Sequence, residues 1–135
     1  MSSSVFKLQD IPAHPQTVLI VEDDDQIAYL LEYLFTREGF HVNRVADGKQ
    51  AQQVIVTSAC PDLVMMDINL PYVNGFDLVR EIRARPDWAN VAVVMLTTMH
   101  EEKDIVHSFD VGVDEFISKP FQPRELMARV RKILR

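Results

Sequence analysis

Asp62-Leu63-Val64-Met65-Met66-Asp67-Ile68-Asn69-Leu70-Pro71 is the stretch on which the fold turns. Its apolar run is too short for a helix, follows Pro61 and closes in an acid, so it reads as a strand buried on both faces, the habit of parallel sheets. Asp67 then stands at the strand's carboxyl end. In an open α/β sheet that edge binds ligands, because loops and helix N-termini converge there over a rigid floor. Taken alone, Asp67 is an ordinary Asp opening a turn, with Asn69-Leu70-Pro71 in support. The company it keeps elsewhere in the chain changes that reading.

Upstream, Thr17 to Val21 is a second short β-branched run, and it ends in Glu22-Asp23-Asp24-Asp25. Adjacent carboxylates repel, and capping of the next helix can use one or two of them but not four. That helix carries Ile27, Leu30, Leu31 and Leu34 on one face, with Gly39 as its stop. His41 to Val45 reads as a strand, Ala46-Asp47-Gly48 as a turn, and Ala51, Val54 and Ile55 as the face of a helix stopped before Pro61. Residues 1–16 hold three serines, Pro12 and Pro15 without sustained period. They read as a flexible lead, docked in part through Phe6 and Leu8.

Downstream, Asn74-Gly75 marks a turn and Phe76, Val79 and Ile82 line a third helix that ends before Pro86. Trp88, in the connection, reads as a packing residue. Val91 to Leu96 is a fourth strand, ending in Thr97-Thr98. Glu101 to Val111 is a helix with Ile105, Val106 and Phe109 expected inward and Gly112 as its stop. Asp114 to Ser118 is a fifth strand, ending in Lys119-Pro120. Pro123 opens a last helix faced by Leu126, Met127, Val130, Ile133 and Leu134. Strand and helix alternate five times, which implies an α/β fold with a parallel sheet and helices on both faces.

The 135 residues suffice for one domain, taken as 17–135. A net charge of −6 argues against nucleic-acid contact by this domain, which needs a basic face. No stretch is apolar enough for a membrane span. Cys60 is the single cysteine, so there is no disulfide framework, and a cytoplasmic protein is the simplest reading. It reads as a small buried hydrophobe.

In a parallel sheet all carboxyl ends share one edge. Glu22 and Asp23 from the first strand, Asp67 from the third, Thr97 from the fourth and Lys119 from the fifth therefore face one crevice. Crowded acids call for a cation, and Mg2+ fits all-oxygen donors that leave room for water and a phosphate oxygen. Zinc does not fit, because His14, His41, His100 and His107 are scattered. A carboxylate beside such a metal can attack phosphorus in line, with Mg2+, Lys119 and the Thr97 hydroxyl holding the equatorial oxygens.

These residues carry a resemblance. Residues 17–135 resemble the receiver domain of two-component response regulators through VEDD (Val21 to Asp24), DLVMMDINLP (Asp62 to Pro71), VVMLTT (Val93 to Thr98) and DEFISKPF (Asp114 to Phe121). The resemblance implies a flavodoxin-like sheet of strand order 2-1-3-4-5, with Asp67 as phosphoacceptor. It implies Asp23, Asp67 and the backbone carbonyl of Asn69 as Mg2+ ligands, and Glu22 acting through water. Thr97 and Phe116 would be the switch pair and Lys119 the phosphate-pairing ammonium. The phosphoryl donor would be a histidine kinase or histidine phosphotransfer protein, and the readout a partner or fused output domain. Thr98 stands where the family usually has a smaller residue, Asn69 and Met99 match variable positions beside the pocket, and Phe116 lacks the hydroxyl of a tyrosine. Glu125 and Arg129 match a dimer face made by the fourth helix, fifth strand and fifth helix, although Ile105 and Val111 are apolar where charges are common.

Two other classes compete. A Mg2+-dependent phosphohydrolase also forms an aspartyl phosphate, but usually needs a second Asp two residues beyond the nucleophile, where this chain has Asn69. A nucleotide or flavin binder needs a glycine cradle after the first strand, where this chain has acids.

Overall fold

The computed structural model describes residues 16–99 and 101–134. Phe6, Leu8, His14 and His100 lie outside them. The chain runs β1 (Thr17–Val21), α1 (Asp25–Arg37), β2 (His41–Val45), α2 (Gly48–Thr57), β3 (Leu63–Met66), α3 (Gly75–Ala84), β4 (Ala92–Thr97), α4 (Glu102–Val111), β5 (Glu115–Ser118) and α5 (Pro123–Ile133). The strands form one sheet in the order β2-β1-β3-β4-β5, every neighbouring pair parallel. This is the flavodoxin-like arrangement expected.

Alternation along each strand divides the core in two. Leu19, Val21, Val64, Met66, Val93, Met95 and Phe116 belong to one cluster with Ala51, Ile55, Leu78, Val79 and Ile82 of α2 and α3. Val18, Ile20, Leu63, Met65, Val94, Leu96 and Ile117 belong to the other, with Leu31 and Phe35 of α1 and Leu126, Met127 and Val130 of α5. Trp88 is fully buried in the first cluster, as a packing residue should be. Cys60 is half-buried against the same cluster, and burial pushes its thiol above the usual range.

Two helix faces differ from expectation. On α1 the buried stripe is Ala28, Leu31 and Phe35, and Leu30 lies exposed. The difference on α4 is larger: Val106 and Phe109 are exposed, Ile105 is half-buried, and Asp104 and Ser108 take the inward positions. Burying Ser108 is cheap because its hydroxyl donates to the Asp104 carbonyl at 2.8 Å, so no donor is stranded. Ile105 and Val111 pack from the margin of this face against the α2–α3 side of the core.

At the amino edge of the sheet the Arg83 guanidinium gathers two connections, α3–β4 and α4–β5. It donates to the carbonyls of Ala89 (3.1 Å), Val91 (2.6 Å) and Gly112 (2.7 and 3.0 Å) and to Asp114 Oδ2 (3.0 Å). The same Asp114 oxygen accepts Val93 N–H at 2.8 Å. One side chain thus ties the end of α3 to the starts of β4 and β5.

Candidate functional site

Backbone register builds the site first. Val21 lies level with Val45 and Met66, so β1, β2 and β3 end together; Met66 lies level with Met95, and β4 and β5 run on to end level at Thr97 and Ser118. The residues just past those ends continue the ladder: Glu22 N–H donates to Val45 O (3.1 Å), Asp67 N–H to Val21 O (3.1 Å) and Lys119 N–H to Thr97 O (2.8 Å). Glu22, Asp67 and Lys119 are therefore fixed to the sheet rather than carried on free loops.

Their side chains meet. Lys119 Nζ donates to Glu22 Oε1 at 2.6 Å and to Asp67 Oδ2 at 2.9 Å, and all three side chains are nearly withdrawn from solvent. Glu22, Asp23 and Asp67 each offer a carboxylate oxygen within 4.8 Å of the others, with Asp23 on the exposed side. Burial holds the Glu22 carboxyl above its ordinary range, and the bonds from Lys119 and Asp24 N–H offset this only in part. For Lys119 burial acts to lower the pKa, but the hydrogen bonds to Glu22 and Asp67 outweigh it and hold the ammonium above its usual range. The acids are thus not left without a cation of their own, as crowding at the edge alone suggested: part of the neutralisation is built in.

The acidic run after β1 is divided by role. Asp24 caps α1, its Oδ1 accepting from Gln26 N (2.9 Å) and Ile27 N (3.1 Å). Asp25 pairs with Arg44 at 3.0 Å, and that guanidinium also donates to the Glu22 carbonyl at 2.7 and 3.0 Å. Only Glu22 and Asp23 remain for the crevice.

Thr97 is fully buried, with Oγ1 accepting Met99 N–H at 3.2 Å, and Thr98 beside it is exposed. Phe116 is buried, level with Met95 on the neighbouring strand. Asn69 N–H donates to Asp67 Oδ1 at 3.3 Å. Two residues that sequence reasoning passed over as site parts also belong here. Arg44 carried no signal beyond being a basic residue in a strand. Gly75 was visible only as a turn; in the fold its N–H donates to Ile68 O at 2.8 Å, and a Cβ there would overlap the Asp67 carbonyl oxygen.

The donor set is all oxygen, with no histidine or thiolate within it, which suits a hard divalent cation. Residues 18–131 match the family model of the response regulator receiver domain. The DNA-binding response regulator MtrA of Mycolicibacterium smegmatis is 41% identical over 120 residues, covering 89% of this chain and 51% of MtrA; the chain spans about half the length of the curated relatives it matches. The chemotaxis response regulator CheY4 of Vibrio cholerae superposes with a TM-score of 0.83 at 25% identity, covering 89% of this chain and 99% of that one. The receiver domain of sensor histidine kinase PA1611 from Pseudomonas aeruginosa superposes with a TM-score of 0.81 at 29% identity, covering 90% of this chain and 98% of that one. Its structure has a magnesium ion in the active-site cleft. With the fold, the acid cluster and the family model in agreement, this chain belongs to the response regulator receiver family.

Proposed function

We propose that residues 17–135 act as a phosphorylation-controlled switch, with Asp67 as phosphoacceptor, residues 1–16 as a separate lead, and a histidine kinase or histidine phosphotransfer protein as donor. One observation carries this reading: Lys119 spans Glu22 and Asp67 at the sheet edge, and Asp23 completes a three-carboxylate cluster within 4.8 Å. Asp23, Asp67 and the Asn69 carbonyl would hold Mg2+, with Glu22 acting through water. The bound ion would supply charge neutralisation for the incoming phosphoryl oxygens. An Asp67 oxygen forms the new O–P bond as the P–N bond to the donor imidazole breaks. The bonding pair stays on the ring nitrogen, which takes a proton from water. Lys119, already bonded to Asp67, is placed to hold a phosphoryl oxygen, and the Thr97 hydroxyl to donate to another by leaving Met99 N–H.

Movement of Thr97 with Phe116 would then change the face formed by α4, β5 and α5. Val106 and Phe109 lie exposed on α4, and Arg129 bridges Glu115 (3.2 Å) and Glu125 (3.6 Å). This mixed apolar and ionic face suits a symmetric dimer or an output partner, in the cytoplasm and without direct nucleic-acid contact. The chain's own chemistry would be self-phosphorylation and slow self-dephosphorylation, not metabolic turnover. The Mg2+-dependent phosphohydrolase remains the competing reading, and Asn69 in place of a second acid weighs against it.

Incubation with Mg2+ and phosphoramidate, followed by intact-mass analysis, tests both. The expected result is the mass of one added phosphoryl group, absent in Asp67→Asn, with no sustained release of phosphate from monoesters. Loading that persists in Asp67→Asn overturns the assignment.

A further inference from the structure

Tyr72 is the residue with positive φ, at 74°, among the described residues other than glycine. In that region Cβ crowds the backbone, and Gly, Asn and Asp are the residues that tolerate it. An aromatic side chain there is disfavoured, yet the ring is not used for packing: Tyr72 is 72% exposed. The turn is held from outside the loop. Gly48, the first residue of α2, donates its N–H to Pro71 O at 3.0 Å, and Val73 N–H donates to the same oxygen at 2.9 Å. Gly48 packs so closely under Val73 that a Cβ would overlap its carbonyl oxygen. Lys49, the next residue of α2, places its ammonium 4.4 Å from the centre of the Tyr72 ring. The fold thus maintains an unfavourable backbone to present a ring to solvent, braced by a cation.

The location says what the ring meets. Tyr72 lies on the β3–α3 connection, five residues past Asp67, and Lys49 lies in the first turn of the helix that follows β2, so both stand on the carboxyl edge that holds the acid cluster. Asp67 is only 7% exposed. A phosphoryl group carried on a protein histidine reaches it only if that protein seats itself on this rim, whereas a small phosphodonor enters without touching it. Exposed aromatic rings of low conformational freedom are the usual anchors of such contacts. We propose that Tyr72, braced by Lys49, is a specificity residue for the protein phosphodonor: it contacts the donor's surface beside the phosphohistidine and takes no part in the chemistry at Asp67. This rests on the phosphoacceptor reading above.

The test compares two donors on the full chain. The small donor is phosphoramidate. The protein donor is whichever of a panel of purified, autophosphorylated histidine kinases loads the unaltered chain fastest. Tyr72→Asn keeps a residue that tolerates the left-handed backbone and removes the ring; Tyr72→Phe keeps the ring. Tyr72→Asn should slow transfer from the kinase about tenfold while phosphoramidate loading stays within twofold, and Tyr72→Phe should restore kinase transfer. Kinase transfer within twofold of the unaltered chain, or an equal slowing with both donors, overturns the proposal. So does a chain that loads from phosphoramidate and from no kinase in the panel, since no protein donor would then need recognising. Failure to load from phosphoramidate as well would instead overturn the phosphoacceptor reading itself.

Discussion

Gly75 shows how much a single absent atom contributes. The chain folds back after Asp67 so tightly that the Gly75 N–H bonds Ile68 O at 2.8 Å, and the space a Cβ would need is filled by the Asp67 carbonyl. Gly75→Ala would have to push this backbone aside, and such overpacking costs about 1–3 kcal/mol. Because the displaced group belongs to Asp67, the proposed phosphoacceptor, urea unfolding should show that loss together with slower phosphoramidate loading, whereas a Cβ accommodated without movement would change neither. Most of the crevice was legible from sequence for the reason that Gly75 was not. Glu22, Asp67, Thr97 and Lys119 are placed by strand ends, and strand ends show as apolar runs closing in polar residues. The close approach of Gly75 to Asp67, and the bonds from Arg44 to the Glu22 carbonyl, depend on distances across the fold that no local pattern encodes.

Helix α4 shows where periodicity misleads. At about 100° per residue, Val111, Ile105, Phe109 and Val106 fan across more than half the circumference, so the apolar stripe does not define one inward direction. The neighbours decide, and they turn Asp104 and Ser108 inward and leave Val106 and Phe109 out. Val106→Ser and Phe109→Ser should therefore change stability by less than about 0.5 kcal/mol, as surface substitutions do. A loss of several times that in thermal unfolding would place the side chains back in the core. The opposite holds for Arg83, a surface-type residue by sequence whose guanidinium donates to three carbonyls and one carboxylate. Hydrogen bonds to charged groups contribute about 1.5–3 kcal/mol each, with overlap among them. Arg83→Ala should lower the urea midpoint by an amount corresponding to about 2–4 kcal/mol, since stranded carbonyls add to the lost bonds. The clamp lies at the sheet edge opposite Asp67, so loading by phosphoramidate should be unchanged at temperatures where the variant is folded.

For the molecule as a whole, the question is whether its negative charge is a burden that a metal relieves. The net charge is −6, and three of its carboxylates converge at one edge around a single built-in ammonium. Lys119 satisfies Glu22 and Asp67, but no salt bridge reaches Asp23 among the described residues, and Asp23 is exposed. Asp23 is thus the member whose removal would separate the proposed metal binding from folding. A ligand that binds only the folded chain stabilises it by about 2.7 kcal/mol when its free concentration is a hundred times its Kd. For a domain of this size that corresponds to a rise in Tm of about 10 °C. Mg2+ titration should raise Tm along this saturating course, and excess EDTA should reverse it. Asp23→Asn should melt at or slightly above the unaltered chain without metal, because it relieves repulsion from Glu22 and Asp67, and should gain little on adding Mg2+. An equal rise in Tm for both chains would mean that the ion acts elsewhere, through general screening of the acidic surface, and the carboxylate cluster would then lose its claim to be the metal site.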